Sequence, residues 1–283
     1  MASPMNPDGS LDLDGAQRLA VHLVDHGHDG LVVNGTTGEA PTTTDAEKID
    51  LVRVVVEAVG GRAHVIAGAG SNNTAHSVES ARAAAKAGAQ GLLVVTPYYS
   101  KPPQEGVLAH FTTVADATDL PVMVYDIPGR TGIPIRTETL IRMSAHPRIV
   151  AVKDAKGDLF AASTVMSQTD LLWYSGDDLL NLAHLTQGAV GMVSVVGHLA
   201  GRQYAEMVAA VGQGNLARAI EIHRQLIPAV NAIMNITQGA ISVKAALHDR
   251  GLIASDAVRL PLIAATTDQL ALVREGLSKS GLN

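Results

Sequence analysis

Short runs of apolar residues alternate along the chain with longer stretches whose apolar residues recur at helical spacing. The short runs span 30–34, 64–69, 91–96, 121–127, 149–154, 171–175 and 190–195. They are apolar almost throughout, which marks strands buried on both faces rather than strands with one wet face. Between them, residues 12–26, 44–59, 74–87, 104–117, 136–145, 158–168 and 178–187 read as alanine-rich amphipathic helices. This alternation predicts parallel pairing with the helices outside the sheet. Each repeat has the length expected of a right-handed βα crossover.

Seven strands are clear in this pattern, and a closed (β/α)8 barrel needs one more. It has to precede the first helix, where the chain offers only Met1-Ala2-Ser3-Pro4-Met5. A doubly wound open sheet would remove the deficit. Such a sheet usually carries a glycine-rich phosphate turn after its first strand, and Gly68-Ala69-Gly70-Ser71 is too short a match. The regularity of the units favours an α/β fold of the (β/α)8 TIM-barrel type with a truncated first strand. Beyond Val195 the strands stop, and residues 203–211, 215–235, 240–249 and 267–278 read as helices. The expected organisation is a barrel over 1–212 followed by a helical C-terminal extension over 213–283.

Composition narrows the function classes. Hydrophobic residues make up 47% of the 283, ample for a core of this size. The charge balance, 21 basic against 27 acidic residues, gives no electrostatic footprint for nucleic acid or an anionic membrane. The absence of cysteine excludes disulfides, thiolate metal sites and cysteine nucleophiles, and fits a reducing cytosol. No apolar run reaches the roughly 18 residues of a membrane span, and residues 1–10 lack a basic-then-apolar signal pattern. The eleven histidines show no ligand spacing, so no metal site is expected; His22, His26 and His28 read as solvated or capping residues of the first helix.

The candidate chemistry lies where strands finish, which on a barrel is the active-site rim. Lys153 ends the run Ile149-Val150-Ala151-Val152-Lys153-Asp154. An ammonium at the end of a buried strand is costly to desolvate, and a lysine that is partly neutral can attack a carbonyl to form a Schiff base. The alternative is a lysine that closes its strand and reaches water. The turn Gly35-Thr36-Thr37-Gly38-Glu39 offers hydroxyls and amides to a small anion such as a carboxylate, or else it is an ordinary glycine turn. Tyr98 and Tyr99 follow Thr96-Pro97, and Tyr125 opens Tyr125-Asp126-Ile127-Pro128-Gly129-Arg130-Thr131-Gly132. A tyrosine at such a position can pass protons, or it can be a core residue with a satisfied hydroxyl. Arg130 can clamp a carboxylate in a bidentate fork, or be a solvated loop arginine. In Ser175-Gly176-Asp177-Asp178, Gly176 lets a ligand approach the backbone, and one of the aspartates is expected to cap the following helix.

These five ordered motifs make the chain resemble the dihydrodipicolinate synthase family, within the pyruvate-dependent lyase and aldolase superfamily. The resemblance runs from about Asp8 to the C-terminal helices. It implies that Lys153 forms an imine with pyruvate and that Thr37, with amides of the Thr36–Thr37 turn, holds the pyruvate carboxylate. It implies that Tyr125 shuttles protons through Thr36 to Tyr99, the last supplied by a neighbouring subunit. Arg130 would bind the carboxylate of L-aspartate 4-semialdehyde, and Gly176 and Val193 would line the pyruvate pocket through their backbone. The implied enzyme is a lyase of lysine and diaminopimelate biosynthesis. It uses no cofactor beyond the covalent imine, takes only small-molecule substrates, and works as a homodimer or homotetramer in the cytoplasm.

The chain departs from the family pattern in places. Ser3-Pro4-Met5 resembles a turn that normally follows a complete first strand. Either the start lies upstream of Met1 or the protein tolerates the gap, with an unpaired strand edge as the cost. Ala40 replaces a serine. The regulatory lysine site of sensitive members would fall near Ala40, Asp45, Lys48, Asn72, His76 and Tyr98, and His76 stands where those members carry a glutamate. Weak or absent feedback by lysine is expected. Two alternatives remain: a superfamily aldolase or lyase acting on a sugar acid or N-acetylneuraminate, and a non-catalytic paralogue.

Overall fold

A computed structural model describes residues 1–282. Seven strands alternate with helices among them. The strands are β1 (Gly30–Val33), β2 (His64–Gly68), β3 (Gly91–Val95), β4 (Val122–Asp126), β5 (Ile149–Asp154), β6 (Leu172–Ser175) and β7 (Gly191–Met192). The helices between them are α1 (Leu13–Asp25), α2 (Asp45–Val59), α3 (Thr74–Lys86), α4 (Gln104–Ala115), the single turn α5 (Pro128–Thr131), α6 (Thr137–Met143), α7 (Leu159–Met166) and α8 (Asn181–Thr186). After β7 come α9 (Gly197–Gly212), α10 (Leu216–Met234), α11 (Gly239–Asp249) and α12 (Thr267–Lys279). The described residues divide into two compact units, 1–65 with 194–282 and 66–193.

In the second unit β2 to β7 pair in parallel and in sequence order. Their interiors are aliphatic: Leu92, Val94, Val122, Val124 and Val152 are all buried. Register is what matters for chemistry. Tyr125 stands opposite Lys153, and Lys153 opposite Tyr174. Side chains alternate faces along a strand, so Asp126, Asp154 and Ser175, also in register, share the other face. The largest fully buried side chains, Trp173 and Phe111, belong to this unit. Burying each such ring stabilises the fold by about 1.5–3 kcal/mol.

In the first unit α1 packs on α2, and α9, α11 and α12 pack around α10. Local chemistry sets the helix ends. The Asp12 side chain accepts from Gly15 N at the start of α1, and Thr44 and Glu47 form a reciprocal capping box at the start of α2. No strand forms over residues 1–5. Met5 makes an isolated antiparallel bridge to Leu11 instead. The stub is nonetheless tied down: the Met1 amino group donates to Val32 O at 2.5 Å, Ala2 N to His198 Nε2 at 2.9 Å, and Ser3 Oγ to Gly38 O at 2.8 Å.

Several expected boundaries move. β7 is shorter than 190–195 because Ser194 Oγ accepts from Gly197 N at 2.7 Å, turning the chain into α9. α9 begins at Gly197, six residues before the expected 203, with a kink at Ala200. Gly201 lies inside α9. In the fold it makes room, since a Cβ there would meet His26 O at 2.5 Å and His28 Cε1 at 2.6 Å. Neither Asp177 nor Asp178 caps α8, whose N-terminal flanking residue is Leu180. Asp177 Oδ1 accepts from Leu179 N, and Asp178 Oδ1 from Asn181 Nδ2. His26 and His28 do act at a helix end. Their Nδ1 atoms lie 2.7 and 2.9 Å from His22 O and Leu23 O in the last turn of α1.

Candidate active site

Tyr125 and Lys153 meet at the ends of β4 and β5. The Lys153 ammonium stands 3.9 Å from the centre of the Tyr125 ring, a cation–π distance. Cross-strand register places them there, and the ring is buried. Gly176, just past β6, completes the arrangement. A Cβ at this position would lie 2.8 Å from Lys153 Cγ, 3.0 Å from Lys153 Cε and 3.1 Å from Asp154 O. The lysine stem occupies the space that any other residue would fill.

The remaining candidates of this unit surround the same strand ends. Gly176 N donates to Asp154 O and Val193 N to Ser175 O, both at 2.7 Å. Their N–H groups are therefore committed to the backbone, and a ligand would meet their Cα and carbonyl side. Arg130 lies on the single turn α5 and is exposed. That turn opens at Pro128, whose fixed φ suits a first helical position. Tyr99 is 88% exposed and holds φ at +71°, with Lys101 nearby at +48°. A bulky residue at positive φ is strained, and such strain persists only where something over-determines it.

Thr36 and Thr37 belong to the first unit, where Thr36–Gly38 forms one 3-10 turn. Gly38 N and Ala40 N donate to Gly35 O, and Glu39 N donates to Thr36 O. The first N–H groups of a helical turn have no partner inside it, so the Thr36 and Thr37 amides stand outside the turn's own bonding.

Sequence reading passed over the polar layer on the opposite face from Lys153. Asp126 and Asp154 are buried. Asp126 accepts from Ile135 N at 3.2 Å and lies 3.8 Å from Lys156 Nζ. Burial pushes its carboxyl up to about 7, against the pull of Lys156. Asp154 Oδ1 accepts from Lys156 N at 2.7 Å. These contacts fasten the loops that follow β4 and β5. Period-2 alternation from Tyr125 and Lys153 was the signal that could have found them. No group of three or more metal-ligating side chains occurs among the described residues.

Residues 1–280 match the model of the dihydrodipicolinate synthetase family. The chain belongs to that family. A 4-hydroxy-tetrahydrodipicolinate synthase of Kineococcus radiotolerans is 60% identical over 282 residues, covering 100% of this chain and 92% of the relative. 4-Hydroxy-tetrahydrodipicolinate synthase 2 of Streptomyces coelicolor is 57% identical, covering 100% and 94%. Among solved structures, a DHDPS from Cyanidioschyzon merolae with lysine bound superposes with a TM-score of 0.97 at 40% identity, covering 100% of this chain and 97% of that one. Family and fold agree: the fold class is α/β of the (β/α)8 type, as the strand–helix alternation predicted, with seven strands formed and helices after β7.

Proposed function

We propose that this chain is a lyase that condenses pyruvate with L-aspartate 4-semialdehyde to 4-hydroxy-tetrahydrodipicolinate, through an imine on Lys153. The observation that carries the reading is the Lys153 ammonium 3.9 Å over the Tyr125 ring, in a chain 60% identical to a synthase of that name. Lys153 Nζ adds to the pyruvate carbonyl, and water leaves. The imine is an electron sink, which acidifies the pyruvate methyl group. Loss of a methyl proton gives an enamine whose carbon attacks the aldehyde, forming the carbon–carbon bond. The amino group of the second substrate then displaces Lys153 and closes the ring.

Protons move at several of these steps, and Tyr125 is the donor and acceptor beside the imine. Thr36 and Tyr99 complete the relay in this reading, with Tyr99 reaching a neighbouring subunit. The exposure and positive φ of Tyr99 suit a side chain that a second subunit covers. The enzyme is then a homodimer or homotetramer. Thr37 and the turn amides hold the pyruvate carboxylate, Arg130 holds the carboxylate of the semialdehyde, and Gly176 and Val193 line the pyruvate pocket. No cofactor is needed, because the imine itself stabilises the carbanion. The product feeds lysine and diaminopimelate biosynthesis, and a cytoplasmic setting suits a cysteine-free chain.

A coupled assay tests the reading. Turnover is expected with pyruvate and L-aspartate 4-semialdehyde, and Arg130→Ala is expected to raise KM for the semialdehyde more than for pyruvate. Preference for a sugar-acid or N-acetylated sugar aldehyde would overturn the choice of second substrate.

A further inference from the structure

Beneath the Thr36–Thr37 turn lies a buried ion pair that the proposed chemistry does not use. Glu39 follows the turn in the left-handed region, at φ +56° and ψ +37°. This conformation is unfavourable for a non-glycine residue. Its side chain runs inward and is buried. Oε1 accepts from Lys244 Nζ at 2.8 Å, and Oε2 accepts from Arg259 N at 2.9 Å. Lys244 comes from the middle of α11 and is itself fully buried. Burial pulls the Lys244 ammonium below its ordinary pKa, and Glu39 opposes that pull.

A buried ion pair is poorly explained by stability. Desolvating both charges offsets most of their attraction, and well-packed apolar residues of the same volume often serve as well. What apolar residues cannot do is hold a carboxylate from two fixed directions. Here that grip reaches the turn directly, because Glu39 N donates to Thr36 O at 3.1 Å and Glu39 O accepts from Thr42 N at 3.0 Å. The side chain of Arg259 braces the far side of Thr42 and the start of α2. Its guanidinium donates to Gly9 O, to Thr42 O and to both Glu47 oxygens.

We propose that Lys244 is a positioning residue for anion binding: through Glu39 it fixes the backbone that presents Thr36 and Thr37 to the pyruvate carboxylate. This rests on the reading of Thr37 as that carboxylate's anchor. The role predicts a specific kinetic signature. Loosening the turn weakens the grip on pyruvate and leaves the second substrate alone.

The test compares three variants by thermal melting and by separate KM values for pyruvate and the semialdehyde. Glu39→Gln with Lys244→Met removes both charges together, so neither is left buried and unpaired. It is expected to raise KM for pyruvate roughly tenfold, the equivalent of one weakened hydrogen bond to a charged group, with KM for the semialdehyde unchanged. Thr37→Val is expected to raise the pyruvate KM in the same selective way. Arg259→Ala is expected to lower Tm without moving the pyruvate KM. An unchanged pyruvate KM in the double variant, beside a raised one in Thr37→Val, overturns the role of Lys244 and leaves the carboxylate reading standing. An unchanged KM in Thr37→Val overturns the carboxylate reading itself. A rise in Arg259→Ala equal to that of the double variant reduces the effect to general loosening and overturns the inference. If the double variant is insoluble, Glu39→Gln with Lys244→Gln, which also removes both charges, takes its place under the same criteria.

Discussion

Gly176 decides where the Lys153 ammonium can stand. Any side chain there collides with the lysine stem, at 2.8 Å from Cγ, and with the carbonyl of Asp154. Gly176→Ala is therefore expected to displace Nζ from its place over Tyr125. A misplacement of about 1 Å costs on the order of a hundredfold in rate. The prediction is a fall of that size in kcat, measured in the coupled assay, with the melting temperature changed much less. Equal activity in the variant would contradict the role of Gly176 in placing the lysine. His76 supports a second prediction at this scale. The expected weakness of lysine feedback rests on its standing where lysine-sensitive members carry a glutamate. Titrating activity with L-lysine tests this, and strong inhibition at low concentration would contradict it.

At the level of elements, α9 shows how packing overrides local propensity. α9 opens at Gly197, holds Gly201 inside it and kinks at Ala200. Gly201→Val is expected to push α9 away from the His26 carbonyl. Overpacking of this kind costs about 1–3 kcal/mol, which a denaturant midpoint would register. Most other elements were legible because their signals are local. The apolar run 149–154 is β5 to the residue, and the run of α2 opens at Thr44-Asp45-Ala46-Glu47, a capping box readable in sequence. The turns at 36–38 and 128–131 were not legible as helical, since glycine and proline there suit a loop equally well. The short span of β7 was hidden too, because it depends on which partner Ser194 finds.

For the molecule as a whole, burial of titratable groups sets the response to acid. Burial holds His110 down to about 4 and His198 to about 3, from an ordinary 6.5. Both are neutral in the fold, so the stability they contribute is present above pH 6.5 and is lost as pH falls toward 4 and 3. Asp126 acts oppositely. Its carboxyl is raised from 3.8 to about 7, so its contribution is full below 3.8 and is lost as pH rises to about 7. Asp126→Asn removes that opposing trend, and the loss of stability between pH 7 and 5 is expected to become steeper, as followed by Tm. A shallower loss would contradict the sign of the Asp126 shift. None of these groups stood out in the sequence, because burial is a property of the assembled layers. Lys244, within Ile241-Ser242-Val243-Lys244-Ala245-Ala246-Leu247, was passed over in the sequence as well, because its partner, Glu39, lies 205 residues away. The positions of Lys153 and Tyr125 were legible because each stands next to the end of its own strand, and register joins them. The central claim is covalent, and borohydride reduction in the presence of pyruvate tests it most directly. Peptide mass spectrometry is predicted to find reduced pyruvate on Lys153 alone, and Lys153→Ala to show none. An adduct on Lys156 or any other lysine, or no adduct in protein that turns over, would contradict the account.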